Sequence, residues 1–333
     1  MLKQIRIILS VIIILCLTFL ISSCPYASRY YVALGDSVSA GYGLTSNDES
    51  YPAILYNLLK KDGYANNYEN MSVNGYTTTM LLEQLNNLDN EEMRILGNAQ
   101  IITLNIGGNN LVVPFFNYLS KYKITYGIDE IRPRIESIIR NALNLIYGVR
   151  SRGQIFNPNP DLSRAIINDI VSRINAVIER YGNEEVTSNL KAISSILKGS
   201  FSAELNYELE KGVNAFTNEF KDIIIWLKIN APKATIIVNT VYNPIPQEIL
   251  GESLEIYSIT NKLIESMNNI IILESQSSGF NVTDTYNYLS SELDMMIFNL
   301  NPYEGNLSLD LIHPNADGHK RIAELNYEVF KQR

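Results

Sequence analysis

Three stretches of the chain carry residue types that can do chemistry together. Near the N-terminus the run Tyr30–Gly43 is apolar up to Gly35 and then presents Asp36 and Ser37 in a turn punctuated by glycines. Aromatic and β-branched residues running into Gly suit a buried strand, and the C-terminal edge of a parallel sheet is where α/β folds keep their sites. A serine hydroxyl is a weak nucleophile until a base takes its proton, so Ser37 directs attention to the histidines. The chain has two, His313 and His319. His313 stands in Asp310-Leu311-Ile312-His313-Pro314. Pro314 biases His313 away from helix and itself suits the first position of one, which fixes the imidazole at a bend. An aspartate three residues earlier can reach the Nδ1–H of that ring, setting its tautomer and supporting the imidazolium formed when Nε2 accepts the serine proton. The third stretch, Gly107-Gly108-Asn109-Asn110, is a polar turn directly after an apolar run.

These residues need elements to bring them together. Tyr30–Gly35 reads as the first strand. Tyr51-Pro52 opens a helix with apolar residues at Ile54, Leu55, Leu58 and Leu59 that ends at Asp62-Gly63. Tyr68–Val73 is a weaker strand, followed by Asn74-Gly75-Tyr76 and by Thr77, Thr78 and Thr79, any of which can cap a helix through Met80, Leu81, Leu82 and Leu85. Ala99–Ile106 and Ala234–Val241 read as buried strands, Asn281–Asp284 as a short fifth one, Ser253–Ser277 as a long helix and Asn315–Lys331 as a terminal helix. Between strands three and four the period turns helical. Stripes run from Ile131 to Leu145, from Leu162 to Val177 and from Leu205 to Leu227, so residues 115–233 read as a helical insertion. Strands alternating with helices predict an α/β fold with a parallel sheet.

Composition removes several classes. The 333 residues are 46% hydrophobic and 19% charged, as in a chain that buries a core, and the net charge of -8 offers no basic stripe for nucleic acid. Both cysteines, Cys16 and Cys24, lie in the first 24 residues, so the body has neither a disulfide framework nor a thiolate metal site. Two histidines exclude a three-histidine zinc centre. Lys3 and Arg6 precede an apolar run from Ile7 to Ile21, too short for a comfortable membrane span and shaped like an export signal. Its end, Ile21-Ser22-Ser23-Cys24, resembles the lipobox of bacterial lipoproteins. The expectation is a signal peptide over residues 1–23, removed to leave a lipidated Cys24, and a single domain over 24–333.

The blocks together resemble the GDSL or SGNH hydrolase family. Gly35-Asp36-Ser37-Val38 matches the nucleophile block, Gly75 takes the place of the second-block glycine, Gly107-Gly108-Asn109-Asn110 matches the third block, and Asp310 with His313 matches the last. The resemblance covers roughly residues 30–112 and 234–333. It implies a three-layer α/β/α sandwich with a five-stranded parallel sheet, a catalytic triad of Ser37, His313 and Asp310, and an oxyanion site made by the N–H groups of Ser37 and Gly75 with the side-chain amide of Asn109. Val38 stands where Leu is commonest. Asn110 replaces the usual Asp, which bears on the bonds that set the turn and not on the oxyanion donor.

The resulting expectation is a serine esterase or lipase acting outside the cytoplasm, anchored to the bacterial membrane through Cys24, with an acyl-ester substrate and no metal or organic cofactor. The alternatives are a deacetylase of cell-wall or surface polysaccharide and a catalytically silent surface lipoprotein that binds a ligand or partner. Asp36 is expected to stabilise its turn, Asp284 to cap or turn, and His319 to be a surface or packing residue. An aromatic edge at Phe115, Phe116, Tyr118, Tyr122 and Tyr126 is expected to form an acyl groove with the loop Tyr242–Pro246.

Overall fold

The structure is a computed structural model that describes residues 28–44, 49–121, 203–243, 255–290 and 313–332. Five strands, β1 (Tyr30–Gly35), β2 (Asn67–Asn70), β3 (Ala99–Asn105), β4 (Thr235–Asn239) and β5 (Asn281–Thr283), form one sheet in the order β2-β1-β3-β4-β5. Every pairing is parallel. The helices are α1 (Ser37–Ala40), α2 (Tyr51–Lys61), α3 (Thr78–Asn86), α4 (Asn90–Gly97), α5 (Gly108–Lys121), α6 (Ala203–Asn230), α7 (Glu255–Ser278), α8 (Thr285–Ser290) and α9 (Ala316–Lys331). Among the described residues no helix is long and apolar enough to cross a membrane.

Parallel strands are covered on both faces, and the alternation of side chains divides the core in two. Val32 and Leu34 of β1, Ile102 and Leu104 of β3 and Ile236 and Val238 of β4 meet Leu81 and Leu85 of α3, Leu96 of α4, Leu111 of α5, and the apolar faces of α6 and α7. Tyr31 and Ala33, Ile101 and Ile237 point the other way, onto Tyr51, Leu55 and Leu59 of α2 and Ile322, Ala323 and Phe330 of α9. This is the three-layer α/β/α sandwich.

Of the expected helical insertion between strands three and four, the structure describes the two ends, α5 and α6. The stripe Leu205–Leu227 belongs to α6, whose Leu205, Leu209, Phe216, Phe220, Ile223 and Leu227 are buried in the same core as the sheet. Each such side chain contributes about 1.5–3 kcal/mol relative to exposure, so α6 is part of the layer that closes this face and not an appendage to it. The stripes from Ile131 to Leu145 and from Leu162 to Val177 lie outside the described residues. Periodicity misses helix α4, which is too short to show a stripe, yet its start is marked. Asp89 accepts the Glu91 and Glu92 N–H groups, and Glu92 accepts the Asp89 N–H, a reciprocal capping box.

Two contacts set the terminal helix that follows His313. Asn315 caps α9 by accepting the Gly318 N–H at 2.9 Å. His319 is fully buried, a packing residue and not a surface one: its Nδ1 accepts the Tyr51 N–H at 3.1 Å and its ring stacks on Tyr51. That bond satisfies one of the N–H groups that a helix start leaves without an intrahelical partner, and it ties α9 to α2.

Candidate active site

Ser37 lies where β1 becomes α1. Gly35 has φ +134°, and a Cβ there would fall 2.0 Å from Asn105 O, so only glycine lets β1 pass so close to the end of β3. Asp36 donates its N–H to Asn105 O at 3.0 Å, and its side chain caps α1 by accepting the Val38 N–H at 3.0 Å. The chain then turns into α1 and presents the Ser37 hydroxyl, with the residue 8% exposed. His313 arrives from the start of the terminal segment, and its Nε2 is 2.7 Å from Ser37 Oγ. The Tyr42 ring, 4.8 Å from the imidazole centroid, flanks His313. Nothing in the sequence singles out Tyr42, although it lies inside the Tyr30–Gly43 run.

The two other turns are tied to the first. Val73 donates its N–H to Gly35 O at 3.1 Å, and Tyr76 returns to Val73 O at 3.3 Å, which encloses Gly75 at φ +81°. Asn109, in the first turn of α5, donates from Nδ2 to Tyr76 O at 3.0 Å. The blocks that carry Ser37, Gly75 and Asn109 are therefore hydrogen-bonded one to the next at one edge of the sheet.

Asn110 holds this arrangement from behind. It accepts the Thr78 N–H at 3.1 Å and donates to Thr78 Oγ1 at 2.9 Å and to Gly212 O at 3.3 Å. Gly212 permits this approach of α6, since a Cβ there would lie 1.8 Å from Asn110 O. Thr78 and Thr79 in turn donate to the Glu219 carboxylate of α6 at 2.6 and 2.7 Å. Glu219 carries no signal in the sequence beyond its place on the polar side of the stripe.

Burial raises the Asp36 carboxyl to about 6, against the Val38 N–H, the Asn105 amide and the charge of His313, which lower it. Asp284 accepts the Asn287 N–H at 3.0 Å and caps α8. Asp310 and Cys24 lie outside the described residues. Of the expected groove, Phe115 and Tyr118 pack partly against the sheet core and Tyr242 is buried on the opposite face; Tyr122, Tyr126 and Pro244–Pro246 lie outside the described residues. A surface cleft of about 340 Å³ opens beside Tyr76, with Met80 and Leu88 as apolar walls and Glu83, Gln84 and Glu92 as polar ones. Neither Ser37 nor His313 lines it.

An α/β/α sandwich with a serine and a histidine in contact at the end of its first strand defines a hydrolase-type site. Residues 33–195 match the model of the GDSL-like Lipase/Acylhydrolase family. Over those residues the chain resembles that family. Solved structures similar to it include the lipase Lip_vut3 from a goat rumen metagenome, 15% identical, TM-score 0.45, with 91% of this chain and 97% of that one covered. Phospholipase A1 from Streptomyces albidoflavus is also 15% identical, with TM-score 0.42 and coverage of 91% and 98%. A family 3 carbohydrate esterase from Clostridium thermocellum is 14% identical, with TM-score 0.45 and coverage of 92% and 96%. None of the curated proteins compared with the chain matches it.

Proposed function

We propose that the protein is a serine hydrolase of carboxylic esters, and the observation that carries this reading is the 2.7 Å contact between Ser37 Oγ and His313 Nε2. Ser37 Oγ attacks the ester carbonyl carbon while Nε2 takes its proton. The negative charge that develops on the carbonyl oxygen is held by the N–H groups of Ser37 and Gly75 and by Asn109. One Asn109 N–H is spent on Tyr76 O, which aims the amide, and the second is the oxyanion donor. Collapse of the tetrahedral intermediate breaks the ester bond, and the alcohol leaves with the proton from His313. Water then repeats the sequence on the acyl-enzyme and releases the acid. Asp310 orients His313 through Nδ1.

The proposed site of action rests on the N-terminus. Cleavage before Cys24 and acylation of its thiol and amino group would hold the enzyme on a membrane outside the cytoplasm, since two or three chains anchor stably where one does not.

The test is hydrolysis of p-nitrophenyl esters over a series of acyl lengths. An acyl groove makes kcat/KM rise with length, each buried methylene contributing up to about 0.8 kcal/mol until the groove is full. A profile that peaks at acetyl turns the reading to deacetylation of a polysaccharide. Absence of hydrolysis and of fluorophosphonate labelling would leave the binding lipoprotein.

A further inference from the structure

We propose that a row of buried amides, Asn105, Asn239 and Asn326, is a positioning device that locks the Ser37 turn to the helix behind His313. This inference rests on the reading of Ser37 as nucleophile. Asn105 and Asn239 are the last residues of β3 and β4, and Thr283 is the last of β5. Gly35 pairs with Asn105, and Asn239 with Thr283, so the row crosses the sheet at the edge where Ser37 emerges. Thr283 Oγ1 donates to Asn326 Oδ1 at 3.3 Å, Asn326 Nδ2 to Asn239 Oδ1 at 2.9 Å, Asn239 Nδ2 to Asn105 Oδ1 at 3.3 Å, and Asn105 Nδ2 to Asp36 Oδ1 at 3.0 Å. Asn326 lies on α9, the helix entered directly after His313, and is pinned there by a second bond to Ile322 O.

Stability alone does not call for this row. One residue back along the strands stand Leu34, Leu104, Val238 and Val282, apolar as a sheet covered on both faces requires. Asp36, Asn105, Asn239, Thr283 and Asn326 are each no more than 8% exposed. Burying polar groups is costly unless each is paired, and apolar residues of similar size would fill the space without that demand. Every donor in the row points the same way, toward Asp36, and bonds in such a chain polarise one another. Asp36 spends the same oxygen on the Val38 N–H, the residue after the nucleophile. The row thus transmits the position of α9 to the turn that aims Ser37.

The experiment cuts the row at Asn239, whose side chain bonds to Asn105 and Asn326. Asn239→Leu removes both its bonds, and Asn239→Asp keeps the acceptor for Asn326 while losing the donor to Asn105 without changing size; either variant suffices if the other does not fold. On the ester that the wild type cleaves best, kcat is expected to fall about tenfold or more with KM within about twofold, the pattern of a group that acts only in the transition state. Hydrogen exchange at the Val38 amide is expected to quicken about tenfold or more, with the Leu55 amide of α2 unchanged. A folded variant with wild-type kcat, or one whose kcat falls while Val38 exchange stays at the wild-type rate, overturns the proposal. An inert wild type would sink the esterase reading, and Val38 exchange would still decide whether the row locks the turn.

Discussion

Asn110 and Thr78 clasp each other through two bonds, Thr78 N–H to Asn110 Oδ1 and Asn110 Nδ2 to Thr78 Oγ1. The second bond explains why the residue after Asn109 is not the Asp common in the family. Thr78 has one hydroxyl proton, and it goes to Glu219 at 2.6 Å, so Thr78 Oγ1 must accept from residue 110. An amide can donate there and a carboxylate cannot.

Asn110→Asp would place a buried charge against a hydroxyl oxygen and the Gly212 carbonyl. The expected loss is about 2–4 kcal/mol of stability. Adding Glu219→Gln releases the Thr78 proton to face the introduced carboxylate and should restore half the loss or more. Thermal denaturation of the two single variants and the double one checks this; additive losses would show that Glu219 does not dictate the amide at position 110.

Much of this site is legible in the sequence. Apolar runs stopping at Gly35 and at Gly107 mark two strand ends, and Pro314 marks the bend at His313. What a sequence cannot show is which surface an apolar stripe covers: the period of Leu205–Leu227 is that of any amphipathic helix, and only the fold puts Phe216 and Phe220 on the sheet. Sequence patterning extends strand β2 too far because Met71 and Val73 look like strand; the strand ends at Asn70, and bonds from the Met71 and Val73 N–H groups to Ala33 O and Gly35 O carry the chain on toward Gly75. Asn105 and Asn239 read as ordinary strand-end residues. Their role needs neighbours that are 69 and 134 positions away.

Asp36 makes stability depend on pH. Its folded-state value of about 6 lies above the ordinary 3.8. The unfolded chain therefore loses its proton first, and stability falls as pH rises through that window. Asp36→Asn keeps the acceptor oxygen and removes the charge. It should stabilise the protein by up to about 3 kcal/mol at pH 8, with the gain gone below about pH 4. Denaturant melts across pH measure the difference; a gain that does not change with pH would contradict the account of Asp36.

Asn109→Ala removes the proposed side-chain oxyanion donor. The expected result is a loss of about a hundredfold or more in kcat with little change in KM. Steady-state kinetics decide it, and an effect confined to KM would make Asn109 a substrate-binding residue only.

Cys24→Ser removes the thiol of the proposed lipidation. The protein should leave the membrane fraction for the medium or periplasm, or persist as an unprocessed precursor. Fractionation and the mass of the mature N-terminus report this, and a bound, normally processed variant would place the anchor elsewhere.

The most direct measurement is fluorophosphonate labelling of the intact protein, with the adduct mapped by mass spectrometry and ester turnover followed in parallel. The account predicts a single adduct on Ser37 in the wild type, none in Ser37→Ala, and in His313→Ala labelling and kcat both lower by about a thousandfold or more. A folded Ser37→Ala protein that still turns over ester at a near-normal rate would contradict it.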